Sequence, residues 1–277
     1  MMIEGLIDIP NEEYHAITDS YSSSDLKAIY KGSVKEWKHE KGKPKESEAM
    51  AFGSAFHHYI LENETFFENY IVEPEFNPTP DPKTGIAKAK GRGWKNTTDY
   101  KTQYAEFLES AIGFNIVSEI NFYKIRAMHK SIMESEAKNY IFPDDAEYEK
   151  VAFGELGSSG IKCRIKMDVV SKKLRAIVDL KSCSEVSEDG FGKAVWTFSY
   201  DLQAEFYKSV LKDFTGENYD FIFVAVKSEA PYSACVYKLS DKRKEHGSNK
   251  IINAIKKIKL SEQGHYGYKA ESEIVEI

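Results

Sequence analysis

The stretch from Lys150 to Ser228 constrains the fold most, because its apolar period changes from two to helical and back to strand length. VAFGEL, a GSSG turn, IKCRIKMDVV and then LRAIVDLKS read as three consecutive strands. KAVWTFSYDLQAEFYKSVLKDF then reads as one amphipathic helix, and YDFIFVAVKS as an apolar strand suited to a buried position. This order predicts an α/β fold with a central mixed sheet flanked by helices.

Helices are expected before that block. Ser22 to Ser24, ahead of Leu26, Ile29 and Tyr30, look like the capped start of one, and Lys41-Gly42-Lys43-Pro44 ends its pattern. A second runs from about Glu48 to Glu62, with Met50, Phe52, Phe56, Tyr59 and Ile60 at roughly helical spacing. Residues 73–99 hold four of the eight prolines and Lys83, Lys88, Lys90, Arg92 and Lys95. They predict a long basic loop that touches DNA, although a solvated insertion has the same composition. Helices resume from about Asp99 to Asn139, with a break near Gly113. The expectation is a single domain over 1–277, with core elements at 48–62 and 150–230, an insertion at 73–140 and no functional signal in the tail.

The bulk numbers exclude some classes. The net charge of −6 argues against a protein that coats nucleic acid by bulk electrostatics, so a nucleic-acid enzyme would need a local basic track. Cys163, Cys183 and Cys235 are odd in number and form no CxxC pair, which predicts neither disulfides nor zinc, and fits a reducing compartment. The sequence has no apolar run long enough to span a membrane and no signal-peptide order at its start, so a cytoplasmic protein is expected. A phosphate loop of the GxxxxGK[ST] form is missing too, so a motor is not expected.

The chemistry gathers at Asp168 and at Asp179-Leu180-Lys181. On a strand, Asp179 and Lys181 share a face while Val178 and Leu180 point the other way. On the preceding strand Asp168 shares a face with Lys166, Arg164 and Lys162. Adjacent charged faces would join two carboxylates, a lysine and a basic row. Mg²⁺ favours oxygen ligands such as these, and Lys181 would orient a water or hold developing negative charge. A strand edge with alternating charges would look similar. On the earlier helix Gly53 and His57 are four apart and stack on one face, so His57 can reach a metal, with adjacent His58 the poorer candidate. Glu155 shares a face with Val151 and Phe153, and is either a further ligand or base, or a carboxylate at a hairpin end. Trp196, Tyr200, Gln203 and Tyr207 form one helical stripe, facing either a phosphate-bearing groove or the core.

In that order, GxxxH, E, D, DxK and QxxxY resemble the core of RecB-like and RecE-like PD-(D/E)XK nucleases, a restriction-endonuclease-like fold. The matching residues are Gly53 and His57, Glu155, Asp168, Asp179 and Lys181, and Gln203 and Tyr207. The eleven-residue step from Asp168 to Asp179, and NEEYHA followed by SSSDLKAIYKGSVKEW, resemble the RecE (exonuclease VIII) type of phage recombination exodeoxyribonuclease. The resemblance implies that His57, Asp168, Asp179 and the Leu180 carbonyl bind Mg²⁺, with Mn²⁺ as a substitute. It makes Lys181 catalytic and gives Gln203 and Tyr207 supporting roles. It further implies 5′-to-3′ digestion of linear double-stranded DNA to leave 3′ overhangs, a ring-like homo-oligomer and a RecT-type annealing partner. A structure-selective endonuclease, a non-catalytic DNA-binding module and an ordinary α/β interaction protein are the other readings.

Overall fold

The computed structural model describes residues 3–43, 47–87 and 89–268. Its strands are β1 (Ile7–Asp8), β2 (Tyr70–Glu73), β3 (Asn115–Ser118), β4 (Glu147–Glu155), β5 (Lys162–Ser171), β6 (Ala176–Cys183), β7 (Asp220–Lys227) and β8 (Ala234–Lys238). The helices are α1 (Asn11–Ala16), α2 (Ser23–Lys31), α3 (Val34–Glu40), α4 (Glu48–Leu61), α5 (Phe66–Asn69), α6 (Thr98–Ser110), α7 (Glu119–Met133), α8 (Ala137–Ile141), α9 (Glu188–Thr197), α10 (Tyr200–Thr215) and α11 (Asp241–Glu262). Six strands form one sheet in the order β1-β4-β5-β6-β7-β8. Its pairs are antiparallel except β6 with β7, which are parallel and joined by the α9–α10 crossover.

Both faces of this sheet are apolar, so both are covered by helices. On one face Leu26 and Ile29 of α2, Leu202, Phe206 and Val210 of α10, and Ile251, Ala254 and Ile258 of α11 pack over Ile165, Met167, Ile177 and Phe223. On the other, Phe56 and Ile60 of α4 and Ile125, Met128 and Ile132 of α7 pack over Val169, Val178, Leu180 and Val224. Burying each such side chain contributes about 1.5–3 kcal/mol. Helix α2 starts where Ser22 and Asp25 cap each other reciprocally, Asp25 N–H to Ser22 Oγ at 3.3 Å and Ser22 N–H to Asp25 Oδ2 at 2.8 Å. Gly247 lets α11 lie against α10, since a Cβ there would collide with the Asp201 carbonyl.

Three expectations need correcting. The helix expected over 193–214 is two helices, because Ser199 sits at φ +51° and turns the chain between α9 and α10. Trp196 therefore leaves the stripe that Tyr200, Gln203 and Tyr207 keep. The insertion ends earlier than residue 140, since Ile125, Met128, Ile132 and Ile141 are fully buried in the main core. Residues beyond 230 form β8 at the sheet edge and α11 in the core.

The loop from Glu73 to Asp99 is tied down rather than free. Phe76 joins Phe107 and Ala111 in a small cluster flanked by Trp94, Tyr100 and Tyr104. Asp99 accepts from Thr79 N–H at 2.7 Å and Thr79 Oγ1 at 2.8 Å, and Gln103 Nε2 donates to the Asn77 carbonyl at 2.9 Å. Lys88 lies outside the described residues. Among the described residues no helix is long and apolar enough to cross a membrane.

Candidate active site

Strands β5 and β6 pair only at Val169↔Val178, Val170↔Ile177 and Ser171↔Ala176. Past that point they separate. The Leu180 N–H is taken by Asp168 Oδ2 at 2.8 Å instead of by a backbone carbonyl. The freed edge of β5 is filled by the chain entering α2, with Tyr21 N–H on the Lys162 carbonyl and Arg164 N–H on the Tyr21 carbonyl, both at 2.9 Å. The notch so formed holds Asp168, Asp179 and Lys181.

Alternation puts Asp179 and Lys181 on one side of β6, with Lys181 Nζ 2.6 Å from Asp179 Oδ2. Gln203 Nε2 donates to Asp179 Oδ1 at 2.7 Å, and Lys27 Nζ in turn donates to Gln203 Oε1 at 2.8 Å. Asp179 is 3% exposed and its Oδ2, although close to Lys181, has no hydrogen bond of good geometry. A buried carboxylate of this kind needs a cation beside it, which here is the Lys181 ammonium. From α4, His57 Nδ1 lies 3.5 Å from Asp168 Oδ2, and the Leu180 carbonyl is within hydrogen-bonding reach of the imidazole. Gly53 is not demanded by packing, because an added Cβ would meet only Ser182 Oγ at an ordinary 3.9 Å.

Glu149 completes the group and was not among the expected residues. It lies on β4 at φ +53°, and ligand atoms of His57, Glu149 and Asp168 all fall within 4.8 Å of one another. Glu155, in contrast, is exposed at the far end of β4, opposite Lys162, and only its backbone N–H is engaged, by Asp213 Oδ2 at 2.8 Å. Six residues separate Lys162 from Asp168 on the neighbouring strand, about 20 Å. Glu155 is therefore too far to ligate or to act as base there.

Tyr207 is buried beneath the site, hydrogen-bonded with Ser23 and packed on Phe221. It supports α2 and α10 from within the core and does not face an open groove. The expected basic row is also redirected. Arg164 is buried on Tyr14, Ser20 and Asp25, and Lys166 pairs with Glu149 at 3.2 Å and Asn11 Oδ1 at 2.6 Å. The N-terminal segment, not a substrate, takes these cations. His58 faces Thr65 and Glu62, away from the notch.

Burial dominates the electrostatics. It raises the pKa of both Asp168 and Asp179, with Lys181 opposing the rise, and it raises Glu149 to about 7 with help from Asp168. Burial and then Lys181 push His57 down to about 4, so its imidazole is neutral and able to ligate near pH 7. Burial would lower Lys181, but Asp179 and Asp168 hold it above the ordinary lysine value. Burial and then Lys181 lower Lys27 to about 7. Glu149, Asp168 and the neutral His57 imidazole, with ligand atoms within 4.8 Å of one another, fit a divalent cation whose charge would offset their desolvation, while Asp179 Oδ2 is held by Lys181.

Sequence comparison places this geometry in a family. Residues 22–269 match the family described as "PDDEXK-like domain of unknown function (DUF3799)". No curated protein matches the chain. The fold is similar to a crystal structure named "Putative exonuclease" from Eubacterium rectale, at 16% identity, 98% of this chain, 96% of that chain and TM-score 0.61. A phage related exonuclease from Haemophilus somnus 129PT is more distant, at 12% identity, 90% of this chain, 99% of that chain and TM-score 0.33. With a match over most of its length, the chain belongs to the PDDEXK-like family, within the PD-(D/E)XK nuclease superfamily.

Proposed function

We propose that the chain is a divalent-metal-dependent exodeoxyribonuclease that hydrolyses phosphodiester bonds of linear double-stranded DNA, 5′-to-3′, leaving 3′ single-stranded overhangs. The observation that carries the reading is the convergence of His57, Asp168, Asp179, the Leu180 carbonyl and Lys181 in the notch where β5 and β6 separate. His57, Asp168, Asp179 and the Leu180 carbonyl, with Glu149, would hold Mg²⁺. Mn²⁺ is the natural substitute because imidazole suits it better. When bound, the cation supplies Lewis-acid polarisation of the scissile phosphate and makes water a better nucleophile.

The protein's own groups divide the remaining work. Lys181, kept charged by Asp179 and Asp168, donates to a phosphoryl oxygen or to the attacking water. Gln203 fixes Asp179 Oδ1 and leaves Oδ2 facing the notch, while the Leu180 N–H fixes Asp168 Oδ2. The helices on both sheet faces keep the floor of the notch dry, which strengthens each of these interactions.

The exonuclease preference and its polarity rest on the resemblance to RecE-type enzymes; the name of the Eubacterium rectale structure agrees with an exonuclease and says nothing of polarity. A ring-like homo-oligomer and a RecT-type annealing partner belong to the same reading. The test compares end-labelled linear duplex with covalently closed circles, in Mg²⁺ and in EDTA. Metal-dependent loss of linear DNA alone supports an exonuclease. Cutting of the circle points to an endonuclease, and no loss of either to a binding module.

A further inference from the structure

The break between α9 and α10 exposes two aromatic rings beside the notch. Trp196 is 55% exposed and Phe198 54%, beside the buried Val195 and Ser199. Ser199, buried and at φ +51°, is what turns Phe198 outward. Single exposed apolar residues need no explanation, but these two lie two positions apart, and Phe198 belongs to a row that reaches the notch. Lys181 Nζ lies 5.2 Å from the Tyr200 ring centroid, and Tyr200 is 5.6 Å from the ring of Phe198. Phe198 is thus two ring contacts from the Lys181 ammonium. Trp196 lies two residues before Phe198, near the end of α9, with its ring on His246.

Cations flank the same row. Lys31 Nζ donates to the Thr197 carbonyl at 2.7 Å and Arg243 lies over Trp196 at 5.7 Å, whereas Lys250, 4.8 Å from the Trp196 ring, is buried and held by Asp201 at 2.7 Å, and Lys27, 5.3 Å from the Tyr200 ring, is held by Gln203. Exposed rings interleaved with cations suit a single nucleic-acid strand, because bases stack on the rings while phosphates meet the charges. An apolar protein partner has no use for the cations, and a fully paired duplex cannot offer its base faces.

We propose that Phe198 and Trp196 form a stacking platform for unpaired bases of the DNA strand that passes through the notch. The proposal rests on the nuclease reading and deepens it: the platform would hold the bases of the strand once it has left its partner.

The test measures the affinity of a labelled oligothymidylate and of an abasic oligomer of equal length, by fluorescence anisotropy, with EDTA present so that no strand is cut. Wild type should prefer the strand that carries bases. Phe198→Ala and Trp196→Ala should each weaken that strand about tenfold and leave the abasic one unchanged. Phe198→Tyr and Trp196→Phe keep a ring and should keep the preference, which separates stacking from misfolding. An equal preference in the double alanine variant and in wild type would overturn the platform, including the outcome in which the rings dock a protein. Digestion by wild type in Mg²⁺ is scored separately. If it cuts DNA while the preference is unchanged, only the platform fails; if it cuts nothing, the nuclease reading fails.

Discussion

The notch and the insertion are built on opposite terms. Around the notch, Asp179 and Gln203 are buried beneath helices from two large apolar clusters, and each polar group is fixed by another. The insertion rests on three buried residues, Phe76, Phe107 and Ala111, with Ile86, Ile112 and Ile120 exposed around it. Charge is concentrated and desolvated in the first and spread in solvent in the second. The contrast teaches that stability and chemistry share residues near the notch, whereas the insertion can change without the fold changing.

The largest expected effect that sharpens this contrast is at Lys181. Lys181→Ala should lower single-turnover cleavage roughly a hundredfold or more, because it removes the one ammonium at the reacting phosphate. The next compares cores. Phe56→Ala, in the fully buried cluster beneath the sheet, should cost about 3–5 kcal/mol in denaturant unfolding. Phe76→Ala should instead raise hydrogen exchange across 76–111 and leave the global transition nearly in place. Equal losses in the two variants would break the comparison.

A smaller effect is expected from the basic loop. Neutralising Lys88, Lys90 and Arg92 together should flatten the salt dependence of duplex binding, and an unchanged slope would remove the loop from the interface. Lys90 already pairs with Glu75 at 2.6 Å, so its share is the least. The smallest is Glu155→Gln, which should leave cleavage unchanged; a large loss would mean that the distance from Glu155 to the notch is wrong.

Much of the fold is legible because alternation over 161–168 and again over 177–181 marks two strands and the faces of Asp168, Asp179 and Lys181 by local geometry alone. Glu149 escapes such reading. It lies on β4 at a positive φ that alternation does not anticipate, and Asp168 comes near it through the pairing of flanking Tyr148 and Lys150 with Val169 and Met167 on β5. Lys27 meets Gln203 across 176 positions, and no local pattern marks that contact. The α9–α10 break hides for another reason: Ser199 is an ordinary helix residue by composition, and only tertiary packing forces its left-handed backbone. In α11, Ile251, Ala254, Ile255 and Ile258 do recur at helical spacing, but the charged residues between them dilute the pattern.

The most direct test of the notch as the site of cleavage is hydrolysis of linear duplex in Mg²⁺ by wild type and by Asp179→Asn, a substitution of equal size. The account predicts metal-dependent digestion by wild type and a loss of roughly a thousandfold in the variant, with its unfolding transition retained. Digestion at the wild-type rate by a well-folded Asp179→Asn protein would contradict it.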